Sequence, residues 1–274
     1  MLSQATANAK LRELLEENFN KVINSLPRLI RDPDDVNKLL TLRLASGYIQ
    51  LLQRHLKFIL GANLTRLSVA LFEILEFDIF DARIVEQRTM SPMLDHVQSL
   101  TLESRDAQLA KSSPGATNDI TSSRFRLVNA QRNNFKHFRS EDITRQIVRL
   151  CRLLGRYGDP MALADHFVTL AKTHVSSKAR KQSVFILNQL VLGAAGLGLE
   201  NVDTTHINQQ DVKELAGFVL EEYLNRELWN SNECDHVSES SQNPMAKEND
   251  YIILSSLLLE GVGYFAKVRL KLKY

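Results

Sequence analysis

The sequence predicts an all-α fold, an α-solenoid of HEAT/armadillo-like helical hairpins with two disordered insertions. Three observations carry this reading. Apolar residues recur at three- and four-residue spacing through most of the 274 residues, the period that gathers them on one face of a helix. Only 11 Gly and 6 Pro are present, few for a chain of short strands and tight turns. The connections between most periodic stretches are short, which sets consecutive helices antiparallel.

Along the chain, Leu11, Leu15, Phe19, Val22 and Leu26 form the first stripe, closed by Pro27. Asp32-Pro33-Asp34-Asp35 opens the second helix with an acceptor at the N-cap, proline at the first helical position and acids at the positive end of the dipole. Its inward side is read as Leu44, Tyr48, Leu51, Leu52, Leu56 and Ile59, ending at Gly61. Leu64, Leu67, Leu71, Ile74 and Leu75 line a third helix, with a turn near Phe77 to Phe80. From about Arg88 to Ser123 the periodicity fails in a tract rich in Ser, Thr, Asn, Gly and Pro, read as a disordered insertion.

Periodicity resumes at Glu141, where Ile143, Ile147, Leu150, Cys151 and Leu154 share a face until Gly155 and Gly158 break the helix. Asp159-Pro160 repeats the start signal before Leu163, Phe167, Leu170, Ala171 and His174. Val184, Leu187, Leu190, Val191 and Ala194 mark the next helix, which GAAGLG ends, with Gly196 as the left-handed cap. Asn208 and Asp211 introduce Val212, Leu215, Ala216, Val219, Leu220 and Tyr223. The boundaries that follow are 1–88 and 139–230 as helical repeats, 89–138 as a mostly disordered linker with a basic C-terminal part, 231–249 as a polar loop, and 250–274 as a terminal apolar helix read as a truncated repeat. Paired, about nine helices approach the roughly 40-residue HEAT or armadillo period. A compact bundle is the alternative, since the repeats show no clean self-alignment.

Composition narrows the function. Lys plus Arg is 34 against 32 acids, so no whole-chain field favours nucleic acid. Cys151 and Cys234 are isolated, which suits a reducing compartment rather than a disulfide framework or a metal site. The apolar run Tyr251 to Ala266 holds Ser255, Ser256 and Glu260 and is shorter than the roughly 20 residues of a membrane span. It reads as a buried helix, and no membrane is expected as a partner.

Catalytic motifs are weak. Gly193, Gly196 and Gly198 follow a helix, whereas a phosphate loop follows a strand and opens a helix. Asp165 and His166 are adjacent and therefore diverge on a helix, with no H-E-x-x-H spacing to His174. No G-x-S-x-G elbow occurs, and Cys151 lies on a core stripe. The expectation is a binding protein with no catalytic, metal or cofactor residues.

One local feature stands out. Between Arg124 and Arg156 nine basic residues face only Glu141 and Asp142, and Phe125, Phe135 and Phe138 interleave the upstream basics. Arg145, Arg149, Arg152 and Arg156, spaced four, three and four, are placed opposite the Ile147 stripe. Such a face could take phosphates or an acidic partner. The competing reading is a solvated face neutralised by neighbouring acids, with the Phe residues in the core.

Several blocks carry a family resemblance. They are LPRLI, the stretch LTRLSVALFEILEFDIFDARIVEQR at Leu64 to Arg88, FKHFRSEDITRQIVRLCRLLGRYGD at Phe135 to Asp159, and LLLEGVGYFAKV at Leu257 to Val268. The most specific is Ala164 to Leu197, with DHF, RKQ, ILN and GAAGL in order. In these blocks the chain resembles the central part of the Tel-two-interacting protein one family, the HEAT-repeat scaffold of the TTT co-chaperone complex. The resemblance implies a scaffold that, with other TTT subunits and Hsp90 and its adaptors, supports phosphatidylinositol-3-kinase-related kinases, including those of TOR signalling and the DNA-damage response, in cytoplasm and nucleus. It implies no catalytic residues. The alternative is a helical-repeat protein whose basic helix binds nucleic acid or phosphate, which the charge balance weighs against.

Overall fold

A computed structural model describes residues 2–77, 135–174, 176–200, 207–229 and 244–271. Two units separate: residues 1–76 with 137–274, and residues 77–136. Of the smaller unit only Phe77, Phe135 and Lys136 are described. There Phe77 and Phe135 pair as a single antiparallel bridge, their ring centroids 5.8 Å apart.

The larger unit is all-α among its described residues, a helical-repeat solenoid: α1 (Leu2–Ser25), a 3-10 turn (Leu26–Ile30), α2 (Asp35–Leu52), a second 3-10 turn (Gln53–His55), α3 (Leu56–Ile74), α4 (Glu141–Tyr157), α5 (Pro160–Thr173), α6 (Ser177–Ala194), α7 (Gln209–Leu224), the short α8 (Arg226–Trp229) and α9 (Pro244–Lys271). The bulk of both expected insertions lies outside the described residues. Where their edges are described, the boundaries move. Phe138 in the larger unit and Phe135 in the smaller are each buried at 2% exposure, because an aromatic ring gains more from burial than from a solvated linker. Helix α9 begins at Pro244, six residues inside the expected polar loop, with proline at a helix start where its missing N–H is harmless.

Start signals operate largely as read. Asp159 Oδ1 accepts from Ala162 N at 3.2 Å, with Pro160 opening α5. Asn208 caps α7 through Gln210 N at 3.0 Å. For α2 the cap is Asp34, accepting from Val36 N at 2.8 Å, and Asp32 instead holds Asp34 N at 2.9 Å. After α6, Gly196 (φ 68°) takes the left-handed position, Leu197 N reaches Leu192 O at 2.8 Å and Gly196 N reaches Gly193 O at 2.9 Å. This paired closure satisfies carbonyls that a helix end otherwise leaves open.

Two expectations fail for identifiable reasons. The second helix does not run to Gly61. It ends at Leu52, and Gln53 sits at φ 42°, which turns the chain into a 3-10 step before α3. The inward stripe is therefore Leu42, Ala45, Ile49 and Leu52, while Leu44 and Leu51 face outward. Gly155 does not break α4. A Cβ there would lie 2.1 Å from the Leu190 carbonyl oxygen of α6, and one on Gly193 would lie 1.9 Å from the Arg152 carbonyl oxygen of α4. These glycines let two backbones touch.

Helix α6 is the centre of the unit. It packs against α3, α4, α5, α7 and α9, and its residues from Ala179 to Ala194 are buried on every side. A helix surrounded in this way cannot be amphipathic, and its polar side chains must find partners inside. Arg180 Nε donates to Ala171 O at 3.0 Å, and its Nη2 donates to Glu227 O and Leu228 O at 3.2 Å each. Gln182 donates to Phe72 O, and Asn188 donates to Leu257 O at 2.8 Å and accepts from the Tyr223 hydroxyl at 2.9 Å. One helix thus fastens five others by directional bonds as well as by apolar area.

An 18-residue window of α9, Tyr251–Val268, is long and apolar enough by length and composition to cross a membrane, with mean hydropathy 1.4. The expectation that this run is too short is corrected on that point. Its packing gives it another use: Leu257, Leu258, Phe265 and Val268 are buried, α9 lies against α6 and α7, and Gly261 abuts Asn188 and Tyr223 so closely that no side chain would fit.

Candidate partner-binding surfaces

The four arginines of the basic face share a helix but not an environment. Arg145 is exposed and bonded to Glu141 and Asp142 of its own α4, at 2.9 Å each. The neutralising acids are thus one turn back on the same helix rather than on neighbours. Arg149 is half-buried. Arg156 lies 5.9 Å from the Tyr157 ring centroid. Arg152 points inward, correcting its placement on an outer face: Nε donates to Gln189 at 2.9 Å and Nη1 to Gly198 O at 3.2 Å. Burial lowers its pKa, opposed by Tyr264, Cys151 and Glu260. The reason is angular: α4 is contacted by α2, α5 and α6, so only a narrow strip near Arg145 stays in water. Arg152→Gln is expected to lower stability by about 1–3 kcal/mol, because buried Gln189 loses its donor, whereas the exposed Gly198 O can turn to water. Arg149→Gln should change it by less than about 0.5 kcal/mol. Urea denaturation of the two variants checks the difference.

The remaining sequence candidates are structural. His166 Nε2 meets Ser68 Oγ at 2.7 Å, and Ser68 donates its proton to Leu64 O at 2.9 Å, so the imidazole N–H is the donor to the hydroxyl. Burial lowers the His166 pKa, with Asp165 opposing. His174 Nδ1 accepts from Ser176 N at 3.1 Å at the end of α5. The Cys151 thiol is pushed up to about 12 by burial, leaving it protonated and poorly nucleophilic at neutral pH. No group of three or more His, Cys, Asp or Glu with metal-binding geometry occurs among the described residues.

A different surface was missed in the sequence. On the outer side of α2, Val36, Leu40, Leu44 and Leu51 are 62, 56, 52 and 68% exposed. Steps of four, four and seven place them on one face for the length of the helix. Gly47 lies within this stripe with nothing within 4 Å of a Cβ position, and exposed Arg43 flanks it. The signal was present as two apolar stripes on one helix, but periodicity does not say which faces inward.

The family description "TELO2-interacting protein 1 homologue second TPR domain" matches residues 15–261. The chain belongs to the TELO2-interacting protein 1 family. "TELO2-interacting protein 1 homolog" of Homo sapiens is 36% identical over 242 residues, covering 87% of this chain and 20% of that protein. Its namesake in Mus musculus is 32% identical over 251 residues, covering 90% of this chain and 21% of that protein. The chain thus spans about a fifth of the length of these relatives. No solved structure matches. The family description labels the repeats TPR, whereas periodicity suggested HEAT or armadillo. Both names denote stacked helical hairpins, with repeat lengths of about 34 and about 40 residues.

For this member of the TELO2-interacting protein 1 family, the blocks that carried the resemblance acquire physical content. RKQ supplies Arg180 and Gln182, ILN supplies Asn188, DHF supplies His166, and GAAGL supplies the close approach at Gly193 and the cap at Gly196. They fasten α6 to its neighbours and, through His166 and Ser68, α5 to α3.

Proposed function

We propose that this chain is a scaffold segment that holds protein partners within the TTT co-chaperone complex, supporting Hsp90-dependent assembly and stability of phosphatidylinositol-3-kinase-related kinases in cytoplasm and nucleus. Membership of the TELO2-interacting protein 1 family over residues 15–261 is the observation that carries this reading. The name of its relatives describes proteins that interact with TELO2. A helical stack rigidified around a buried central helix suits this role, because it presents faces without needing to move.

The face we assign to a partner is the outer stripe of α2. Its four large apolar residues form a seam of the kind into which an amphipathic helix of another TTT subunit packs, with an acid on that helix meeting Arg43. Gly47 lets the visiting helix approach closely. Leu40→Asp with Leu44→Asp should abolish capture of TTT subunits from nuclease-treated lysate, leaving the urea midpoint within the change expected of surface substitutions, about 0.5 kcal/mol. Retention of those subunits by the folded double variant would remove α2 as the docking face. The basic face of Arg145, Arg149, Arg152 and Arg156 remains a second candidate contact, and a nucleic-acid reading of it predicts capture that nuclease abolishes. Internal pairing of Arg145 and the engagement of half-buried Arg152 with Gln189 leave less charge for phosphates there, which favours the scaffold.

A further inference from the structure

A cleft of about 460 Å³ lies where the first 3-10 turn meets the end of α3 and His137. Arg28 and Arg31 line it, and Arg31 N donates to Arg28 O at 3.0 Å. In a 3-10 turn, side chains three residues apart eclipse, so this backbone holds two guanidiniums on one side. Both are exposed, and neither is in an ion pair with a described residue. Like charges carried on one side of a single turn repel, and an anion bridging them removes that cost.

The rest of the lining narrows the ligand. Glu76 is already held by His137 Nε2 at 2.8 Å and by Lys178 at 3.0 Å, so its charge is drawn away from the arginines. Glu73 is the one carboxylate in the lining itself. A small inorganic anion would gain from the arginines and lose to Glu73, and it would leave most of the volume unfilled. A peptide uses all three features: an acidic side chain on the arginines, a backbone N–H on Glu73, and apolar contact with Pro27 and Ile30.

We propose that this cleft binds an acidic peptide segment of a partner protein, with a phosphoserine or clustered carboxylates seated on Arg28 and Arg31. The site is separate from the α2 stripe and stands or falls independently of the TTT assignment. The test is fluorescence anisotropy with a labelled twelve-residue peptide carrying two phosphoserines in a Gly-Ala-Pro background, against the whole chain. Saturable binding is expected, weakened about tenfold or more by Arg28→Gln with Arg31→Gln, and changed by less than about threefold by Glu73→Gln, which removes the opposing charge but also weakens the acceptor for the peptide N–H. Arg149→Gln, on the other basic surface, should leave it unchanged. No binding to the wild-type chain, binding that survives the double substitution in a folded variant, or complete displacement by millimolar inorganic phosphate would each overturn the proposal. The last outcome would mark a free-anion site.

Discussion

Gly193→Ala is expected to destabilise the chain by about 3 kcal/mol or more, at the upper end for overpacking, although Gly→Ala inside a helix ordinarily stabilises by roughly 0.5–1 kcal/mol. The reversal follows from geometry. The added Cβ would stand 1.9 Å from the carbonyl oxygen of Arg152, and backbone cannot rotate aside as a side chain can. Relief requires α4 and α6 to part, which opens the contact around which the larger unit is built. Gly155→Ala, 2.1 Å from the Leu190 carbonyl oxygen, makes the reciprocal clash. The two share one interface, so the double variant should cost less than the sum, because the second Cβ fits once the helices have separated. Gly217→Ala in α7, where a Cβ meets nothing within 4 Å, should keep the ordinary stabilising sign. Thermal melts of the four variants and the wild type decide this. A Gly193→Ala protein as stable as wild type would mean that the helices are not in contact.

Arg180→Met is expected to cost about 4 kcal/mol. Arg180 is 4% exposed and donates to three main-chain carbonyls, those of Ala171 near the end of α5 and of Glu227 and Leu228 in α8. Helix ends leave such carbonyls without intrahelical donors, and the buried guanidinium supplies them here. Methionine keeps much of the volume and supplies no N–H, so the loss is of charge-assisted bonds worth roughly 1.5–3 kcal/mol each, partly offset by the charge no longer buried. Arg180→Lys should recover only part, since a point charge does not span three acceptors as the planar fork does. Arg145→Met is the contrast: its ion pairs are exposed and should contribute less than about 1 kcal/mol. Urea midpoints at unchanged slope measure all three, and equal midpoints for Arg180→Met and Arg145→Met would contradict the clamp.

Local start and stop signals were legible because each works within one turn. Asp159 with Pro160, Asn208, and the glycine at 196 act through bonds to atoms two to five residues away, and the structure uses each as read. The inward stripes of α4, α5 and α7 were equally clear, since each helix has one apolar side. What failed depended on neighbours. Helix α2 has two apolar sides, and only contact with α1 and α4 decides that Leu42 and Ile49 face in while Leu40 and Leu44 face out. The break at Gln53 leaves no sequence mark, since glutamine rarely adopts a positive φ. Gly155 looked like a terminator and is a contact, and Arg152 looked like open surface and is half-buried against Gln189, for one reason: α6 lies against that side of α4. Long-range packing overrode local preference at these positions, and the docking stripe of α2 was hidden with them.

The most direct test of the scaffold account is co-elution. The purified chain is mixed with the other purified TTT subunits, resolved by size-exclusion chromatography, and compared with its Leu40→Asp, Leu44→Asp variant. The account predicts that the wild-type chain shifts into the complex peak and that the variant, folded by circular dichroism, elutes alone. A wild-type chain that is folded and never shifts, at concentrations well above micromolar, would contradict it.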